Sequence, residues 1–294
     1  GGFKITMPAR APIAMVADLD VIAKAPAEMN GWGYGDLAGK VPSGGDWMLA
    51  ELMGVEPRDD CSWPLVQDHL HGWLAEPEGI AGGDLDAVAR LFVGLTAVGF
   101  AMEAHGSSRP ASGADHQIAH MWEMKGLTHR GRKVSHGAAV SVGCVDLTGL
   151  DDASILANAP RLSERQLELA AAITDPAIAD KARAELAAKH VGRAIHADRL
   201  ARLRTNWAAT RKELRSHLMR QGEMIAMLRK AGAPAFGSDI GVSAQHLIAT
   251  MRAAAFIRSR YTIFDFLHDA GLTETAFAAV APRLVAASFK EARA

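Results

Sequence analysis

The hydrophobic positions along the chain change their spacing near residue 30. Before that point, residues 3–7 and 12–17 are short apolar runs interrupted by Pro8 and Pro12, a pattern typical of strands. From Tyr34 onward, apolar residues recur every three or four positions, which places them on one face of a helix. The pattern therefore predicts strands, or remnants of strands, at the N-terminus and a mainly α-helical chain after them.

Helical segments are predicted from this spacing and from the residues that begin and end helices. Asp84 precedes an apolar stretch as a cap, and Gly232 with Pro234 ends the longest predicted helix. The predicted helices cover residues 35–54, 61–75, 84–105, 112–125, 136–149, 163–173, 176–188, 194–231, 243–257, 262–269 and 273–288.

Composition excludes several classes of protein. The 294 residues are 49% hydrophobic and carry a formal net charge of −1, which indicates neither a disordered chain nor an electrostatic nucleic-acid binder. Cys61 and Cys144 stand alone, so no disulfide framework or thiolate metal cluster is expected and a reducing cytoplasm fits best. The longest apolar stretch, residues 91–102, is shorter than the roughly 20 residues that span a bilayer, and no membrane insertion is expected.

Three histidines and one aspartate carry the candidate chemistry. His116 and His120 lie four apart in a predicted helix, and that spacing places both on one helical face. His136 follows at the start of another predicted helix, and Asp36 follows a glycine-rich segment, residues 31–35, read as a tight approach to a helix start. Imidazole and carboxylate groups together suit a catalytic metal with an open position.

Spacing alone leaves two interpretations open. A single histidine is more often a surface or hydrogen-bonded core residue, and an aspartate at a helix start is often only a cap. The chain has twelve histidines, so pairs such as His69 with His71 arise by chance. The residues therefore allow a metal site without establishing one.

The order of short motifs resembles the iron-containing alcohol dehydrogenase superfamily, and within it the sn-glycerol-1-phosphate dehydrogenase group. Each motif is weak alone, but the ordered set runs through most of the chain. The motifs are Gly-Tyr-Gly-Asp36, Asp46-Trp47, Ser-Arg-Pro-Ala-Ser-Gly-Ala-Asp-His116 with His120, His136-Gly137 and Arg258-Ser-Arg-Tyr-Thr262.

The resemblance implies a helical metal-binding domain of the dehydroquinate synthase-like fold. It implies that Asp36, His116 and His136 hold a divalent metal, with zinc the first choice and nickel or iron as alternatives. His120 would contact the substrate as a catalytic residue without binding the metal, and Asp36 would also lie against the substrate. The implied reaction is reversible hydride transfer between NAD or NADP and dihydroxyacetone phosphate, a phosphorylated triose.

Two basic residues could bind the substrate phosphate. Arg109 carries a guanidinium fork that suits phosphate oxygens, and the alternative is an arginine that ties its loop to the core. Lys40 lies one turn after Asp36 and could serve the phosphate or face solvent. The sequence leaves both choices open.

The chain departs from the family at its N-terminus. The segment 31–35 has alternating glycines but lacks the Gly-x-Gly-x-x-Gly pattern that holds a dinucleotide. We therefore expect residues 1–30 to be a remnant of an N-terminal α/β dinucleotide-binding domain and residues 31–294 to form the helical metal- and substrate-binding domain. The chain would then be either an N-terminally truncated product or gene model, or a natural fragment that works with a separate partner. We expect weak or no dehydrogenase activity from this chain alone, and we also expect a homo-oligomer.

Other functions remain compatible with the sequence. Glycerol dehydrogenase and dehydroquinate synthase-like enzymes share the same metal scaffold, and substrate preference would separate them from the first interpretation. A helical interaction module that has lost catalysis is the non-enzymatic alternative, and the absence of bound metal would favour it.

Overall fold

The computed structural model describes residues 12–148, 182, 184–185 and 187–291. The mainly α class predicted from the sequence is confirmed. Two 3-10 turns cover Arg109–Ala111 and Gly237–Ile240, and β1 (Thr128–His129) pairs antiparallel with β2 (Arg132–Lys133). The helices are α1 (Leu19–Ala23), α2 (Ala27–Ala38), α3 (Lys40–Leu52), α4 (Ser62–Gln67), α5 (Leu70–Trp73), α6 (Pro77–Gly82), α7 (Leu85–His105), α8 (Ala114–Met124), α9 (His136–Thr148), α10 (Arg193–His217), α11 (Gln221–Lys230), α12 (Ala244–Ala254), α13 (Ile263–Asp269) and α14 (Thr273–Glu291).

Two clusters of buried apolar side chains form the core, and α9 contributes to both. The first cluster joins α3, α8, α10 and α12 to α14 and includes Trp122, Val140 and Phe266. The second joins α2, α4 to α7 and α11, and includes Tyr34 and Val145. Because α9 supplies Val140 to one cluster and Val145 to the other, it lies between them and packs against both α2 and α8.

Glycines allow α2 and α9 to touch along their backbones. A Cβ atom at Gly137 would lie 2.1 Å from the carbonyl oxygen of Trp32, and one at Gly35 would lie 2.5 Å from Cβ of Ser141. Both distances are much shorter than a van der Waals contact. The two helices therefore pack closely only because these positions lack a side chain, and this contact holds His136 beside α2.

We expect Gly137→Ala to lower the free energy of unfolding by about 1–3 kcal/mol, because the added methyl group must push two packed helices apart. Gly99→Ala in α7 is the matched control, since no heavy atom lies within 4 Å of a Cβ built there. The control should be neutral or stabilising by up to about 1 kcal/mol, from helix propensity. Urea unfolding of both variants measures the difference, and equal effects would contradict the close contact.

The structure corrects the prediction for the glycine-rich segment. Residues 31–35 lie inside α2, so Asp36 occupies the last turn of a helix and not its start. The predicted helix 35–54 is wrong at its beginning, since α2 starts at Ala27 and a break at Gly39 separates it from α3. The glycines serve helix packing: a Cβ at Gly31 would lie 2.6 Å from the carbonyl oxygen of Gly232. Sequence spacing alone does not distinguish this use from a turn.

Other predicted boundaries also change. The predicted helix 194–231 is two helices, because Leu218 adopts an extended conformation (φ −82°, ψ 141°) and packs against both hydrophobic clusters. The predicted helix 61–75 divides into α4 and α5, and α6 and the β1–β2 hairpin were not predicted. Residues 12–17 form no strand, so that prediction is wrong. The predicted strand 3–7, the helix 163–173 and most of the helix 176–188 fall outside the described residues.

Among the described residues, α7 is the one helix with the length and apolar composition to cross a membrane. Leu91 and Val98 are buried in the second hydrophobic cluster, whereas Val93 and Phe100 are exposed. Helices α1, α2 and α4 all contact it. In this fold α7 therefore packs one face against neighbouring helices, as the core helix of a globular domain does.

Candidate metal centre

Three imidazole rings and two carboxylates meet where α2, α8 and α9 converge. Asp36 comes from α2, and His136 is the first residue of α9. One oxygen, Oδ1 of Asp36, lies 3.3 Å from Nε2 of His116 and 3.8 Å from Nε2 of His136. The fold therefore brings together the three side chains that the sequence predicted as metal ligands. Asp36 lies 80 residues before His116 and 100 residues before His136 in the chain.

The opposite nitrogen of each ring is held by a carboxylate. Nδ1 of His116 lies 2.8 Å from Asp115 Oδ2, and Nδ1 of His136 lies 2.6 Å from Glu123 Oε1. The second oxygen of Glu123 lies 2.8 Å from Nδ1 of His120. A carboxylate on one nitrogen orients the ring and leaves the other nitrogen for a metal. For His116 and His136, that other nitrogen faces the shared oxygen of Asp36.

The donor atoms fit a divalent metal. Oδ1 of Asp36 is buried and has no hydrogen-bond partner, an arrangement that costs about 1–3 kcal/mol unless a cation satisfies it. The ligand atoms of Asp36, His116 and His136 all lie within 4.8 Å of one another. Two imidazoles and a carboxylate with room for a further ligand are typical of catalytic zinc and of related metals. Metal binding by these residues stays a prediction.

His120 takes a different place in the cluster. Its ring stacks on His136 at 5.2 Å with an interplanar angle of 15°, and its Nδ1 is held by Glu123. His120, Glu123 and His136 form a second group of closely spaced potential ligand atoms, but Asp36 is not part of it. The position of His120 beside the three predicted ligands is compatible with its predicted contact with substrate.

The charges of the cluster favour a cation. Burial raises the pKa of Asp36, but Lys40 and His116 outweigh this effect and hold it well below its usual range. Burial likewise raises the pKa of Glu123, and its hydrogen bonds to His120 and His136 bring the net pKa below the usual range. Both carboxylates are therefore ionised at neutral pH.

Metal affinity should fall as the pH falls through the titration of His116. Burial has the largest single effect and lowers the pKa of this ring, but the combined effects of Asp115 and Asp36 outweigh it, so the net pKa lies above the ordinary value. A protonated ring cannot bind metal, so the metal must displace the proton. Below the pKa of the ring, the affinity for metal therefore falls about tenfold for each pH unit. Calorimetric zinc titrations from about pH 6 to 8 cover the range in which histidine titrates.

Asp115→Asn is the comparison for this pH dependence. The substitution removes the charge that raises the pKa of His116, so the loss of affinity should begin at a lower pH than in the unchanged chain. An affinity for zinc that does not vary with pH would contradict the participation of a histidine.

Lys40 is part of the centre. Its Nζ lies 3.2 Å from Asp36 Oδ2 and 3.4 Å from His116 Nε2, and its side chain is only 2% exposed. The interpretation that Lys40 faces solvent is therefore wrong. The buried ammonium therefore lies against the carboxylate of Asp36 and offsets its negative charge.

Arg109 is held by structural contacts. Its guanidinium is buried and donates to the backbone carbonyl oxygens of Tyr261, at 2.9 Å, and Asp46, at 3.0 Å. Nε lies 3.2 Å from Glu56 Oε2, although the direction of the N–H is not that of a hydrogen bond. These contacts favour the interpretation that Arg109 ties its loop to the core over the predicted role in binding phosphate.

Asp46 was noticed in the sequence only as part of a motif, and the structure gives it a function in positioning α8. Its two carboxylate oxygens accept hydrogen bonds from the backbone N–H of Ala114, at 2.7 Å, and of Ile263, at 2.6 Å. These residues begin α8 and α13. Burial raises the pKa of Asp46 to about 7, against the effect of these donors. One side chain of α3 therefore caps two other helices.

Glu123 was missed by the sequence analysis, although its spacing offered a signal. It lies three residues after His120 and seven after His116, which places it on the same helical face. We expect Glu123→Gln to weaken zinc binding about tenfold, because partners that orient a ligating histidine typically contribute that much. Glu103→Gln, at an exposed position of α7, is the matched control, and equal affinities of the two variants would contradict this function.

Several known proteins are similar in sequence to this chain, and those described below carry the same name. No protein-family model matches the chain. A glycerol-1-phosphate dehydrogenase [NAD(P)+] of Geobacillus stearothermophilus is 31% identical over 269 residues, 91% of this chain. Enzymes with the same name from Geobacillus thermodenitrificans and Bacillus licheniformis are 40% and 37% identical over 48% and 51% of this chain.

The matched regions cover only part of each relative. They span 60% of the Geobacillus stearothermophilus enzyme, 35% of that from Geobacillus thermodenitrificans and 37% of that from Bacillus licheniformis. The resemblance read from the ordered motifs is thereby confirmed. The chain is a homologue of the bacterial glycerol-1-phosphate dehydrogenases, which are NAD(P)-dependent oxidoreductases.

Proposed function

We propose that the chain provides the metal and substrate site of an oxidoreductase that transfers hydride between NAD(P)H and dihydroxyacetone phosphate, forming sn-glycerol-1-phosphate. The observation that carries this proposal is the buried Oδ1 of Asp36, which faces Nε2 of both His116 and His136 and has no hydrogen-bond partner. The name shared by the relatives supports the reaction.

Asp36, His116 and His136 would hold the metal. When bound, a divalent metal would polarise the ketone of the substrate and stabilise the negative charge that develops on its oxygen. Zinc is the first choice for this donor set, and nickel or iron the alternatives.

The other residues of the cluster would orient the substrate and manage its protons. His120, fixed at Nδ1 by Glu123, would contact a substrate hydroxyl and relay a proton to the nascent alcohol. The buried ammonium of Lys40, beside Asp36, would add positive charge near the reacting oxygen. Both side chains are held in place before the substrate arrives, which favours catalysis by preorganisation.

The wider setting of the protein follows from the same proposal. Residues 1–30 would belong with an α/β dinucleotide-binding domain and residues 31–294 would form the helical domain. We place the protein in the cytoplasm, where its free Cys61 and Cys144 remain reduced,, without membrane insertion or nucleic-acid binding. The exposed Val93 and Phe100 of α7 fit a homo-oligomer or a contact with another domain.

Metal-dependent binding of the substrate tests the proposed function. Calorimetry should show near-stoichiometric zinc, and dihydroxyacetone phosphate should bind the zinc-loaded chain much more tightly than the metal-free chain. Replacing zinc by cobalt adds a second readout, since the visible spectrum should shift when the substrate is added. Oxidation of NADH or NADPH by dihydroxyacetone phosphate then measures the activity itself.

Other results would point to other functions. Preference for unphosphorylated glycerol, or for a seven-carbon sugar-acid phosphate, would indicate the glycerol dehydrogenase or dehydroquinate synthase-like alternative. A chain that binds no metal, or binds dihydroxyacetone phosphate equally with and without metal, would contradict the proposal and favour a non-catalytic helical module.

A further inference from the structure

A cleft of about 450 Å³ is lined by residues that neighbour Asp36 and His136 along the chain. It is bordered by the N-terminal half of α2, the β1–β2 hairpin, the start of α9 and the loop after α11. Trp32, which lines the cleft, lies four residues before Asp36 in α2, and Ser135, which also lines it, directly precedes His136. Four residues of helix correspond to about 6 Å, so the cleft lies within the length of a small substrate from the predicted metal ligands.

The cleft has an excess of positive charge. Arg132 and Arg229 are each held by a carboxylate of the same lining: Glu28 accepts from Arg132 at 3.0 and 3.1 Å, and Asp239 lies 3.2 Å from Arg229. Among the described residues, no other carboxylate lines the cleft.

Arg130 and Lys133 supply the excess. Both side chains are exposed, and in the part of the chain that the structure describes neither forms an ion pair with any residue that lines the cleft. Two cations without a paired carboxylate in a concave surface attract an anion. The charge of the cleft therefore indicates an anionic ligand.

The backbone of the hairpin supplies a second, independent observation. Arg130 and Gly131 form its two-residue turn with φ angles of 50° and 74°. Two positive φ angles define a turn in which asparagine, aspartate or glycine is preferred at the first position. An arginine there is unfavourable for the backbone, and residues held in such conformations cluster at functional sites. The turn therefore carries the guanidinium of Arg130 at the rim of the cleft, although arginine is not a residue that this turn position favours.

We propose that this cleft binds a phosphate group through Arg130 and Lys133. A guanidinium fork and an ammonium are the side chains that most often bind phosphate oxygens. The phosphate could come from a triose phosphate bound at the metal or from a dinucleotide. The position next to Asp36 and His136 favours the triose phosphate, and that assignment rests on the proposed function. The hairpin would then bind the substrate phosphate, the role that was predicted for Arg109.

Binding of inorganic phosphate to the full chain tests the site itself. We compare the unchanged chain with Arg130→Asn, Lys133→Gln and the double variant by NMR or calorimetric titration. Asparagine suits the first turn position, so Arg130→Asn should keep the hairpin folded while removing the guanidinium. Each single variant should weaken phosphate binding about tenfold, in the range of one charge-assisted contact.

Lys212→Gln is the matched control, since it removes one exposed cation of α10 away from the cleft. It should bind phosphate as the unchanged chain does. Chains that bind no phosphate, or a double variant with unchanged affinity and an intact thermal transition, would overturn the proposal.

Four ligands distinguish the source of the phosphate: dihydroxyacetone phosphate, dihydroxyacetone, NADH and NADPH, each titrated into the zinc-loaded chain. A double variant that loses affinity for dihydroxyacetone phosphate but not for dihydroxyacetone supports the triose phosphate. Loss confined to NADH or NADPH supports the dinucleotide and overturns the assignment to the triose. Phosphate binding that persists in a chain without affinity for zinc would contradict the proposed function and leave the anion site standing.

Discussion

His116→Ala should lower the affinity for zinc at least about hundredfold, because loss of a residue that only orients a ligand already costs about 10–100-fold. The substitution removes one of the two ring nitrogens that face Oδ1 of Asp36 and leaves the buried Asp115 without its imidazole partner. Calorimetric titration with zinc, or metal analysis of the purified variant, measures the loss. Asp36→Asn should show a similar loss, since it removes the negative charge that faces both rings.

His190→Ala is the control for this prediction. The side chain of His190 is exposed, and its loss should leave zinc affinity unchanged. A His116→Ala variant that retains the affinity of the unchanged chain would place the metal elsewhere and remove the basis of the proposed site.

Asp46→Ala should lower the free energy of unfolding by about 2–5 kcal/mol, because two buried backbone N–H groups lose their acceptor and each contributes about 1–3 kcal/mol. The groups belong to Ala114 and Ile263. Their loss loosens the start of α8, the helix that carries His116. Zinc affinity should therefore fall together with stability in this variant. Urea unfolding and zinc titration of the same preparation measure both effects.

Asp46→Asn and Asp198→Ala are the comparison variants for this loss of stability. Asparagine keeps one carbonyl acceptor, so its loss of stability should be smaller than that of alanine. Asp198 is 62% exposed in a surface pair with Arg202, and its removal should change stability by no more than about 0.5 kcal/mol. Equal stability of Asp46→Ala and Asp198→Ala would contradict the capping function of Asp46.

The histidines could be selected from the sequence because their signal is local. His116 and His120 lie four apart in a periodic helix, and helical geometry by itself places them on one face. Motif order added Asp36 and His136, although no local rule says that distant segments meet. Glu123 lies on the same face of α8 as the histidines, but an acidic residue there is equally typical of a solvated surface. Only its two contacts, with His120 and His136, separate the two possibilities.

Lys40 and Arg109 show where local reasoning ends. Each was expected to bind phosphate or to serve a structural or solvent-facing role, and sequence spacing carries no information about burial. In the structure both side chains are almost fully buried. Lys40 approaches Asp36 and His116, and Arg109 donates to carbonyl oxygens of distant segments. Lys40 contacts His116, 76 residues away, and Arg109 contacts Tyr261, 152 residues away, so the chain around each residue does not reveal its role.

By itself, the sequence determined the mainly α class and most helical segments, and it predicted Asp36, His116 and His136 as metal ligands. These features depend on the period of apolar residues and on motif order, and both can be read directly from the amino-acid sequence. The tertiary structure decided that residues 31–35 are helical, that Asp36 lies in the last turn of α2, and that a basic hairpin lines a cleft. The reason is that glycine permits both a turn and close helix packing, and only the neighbouring helix determines which one occurs.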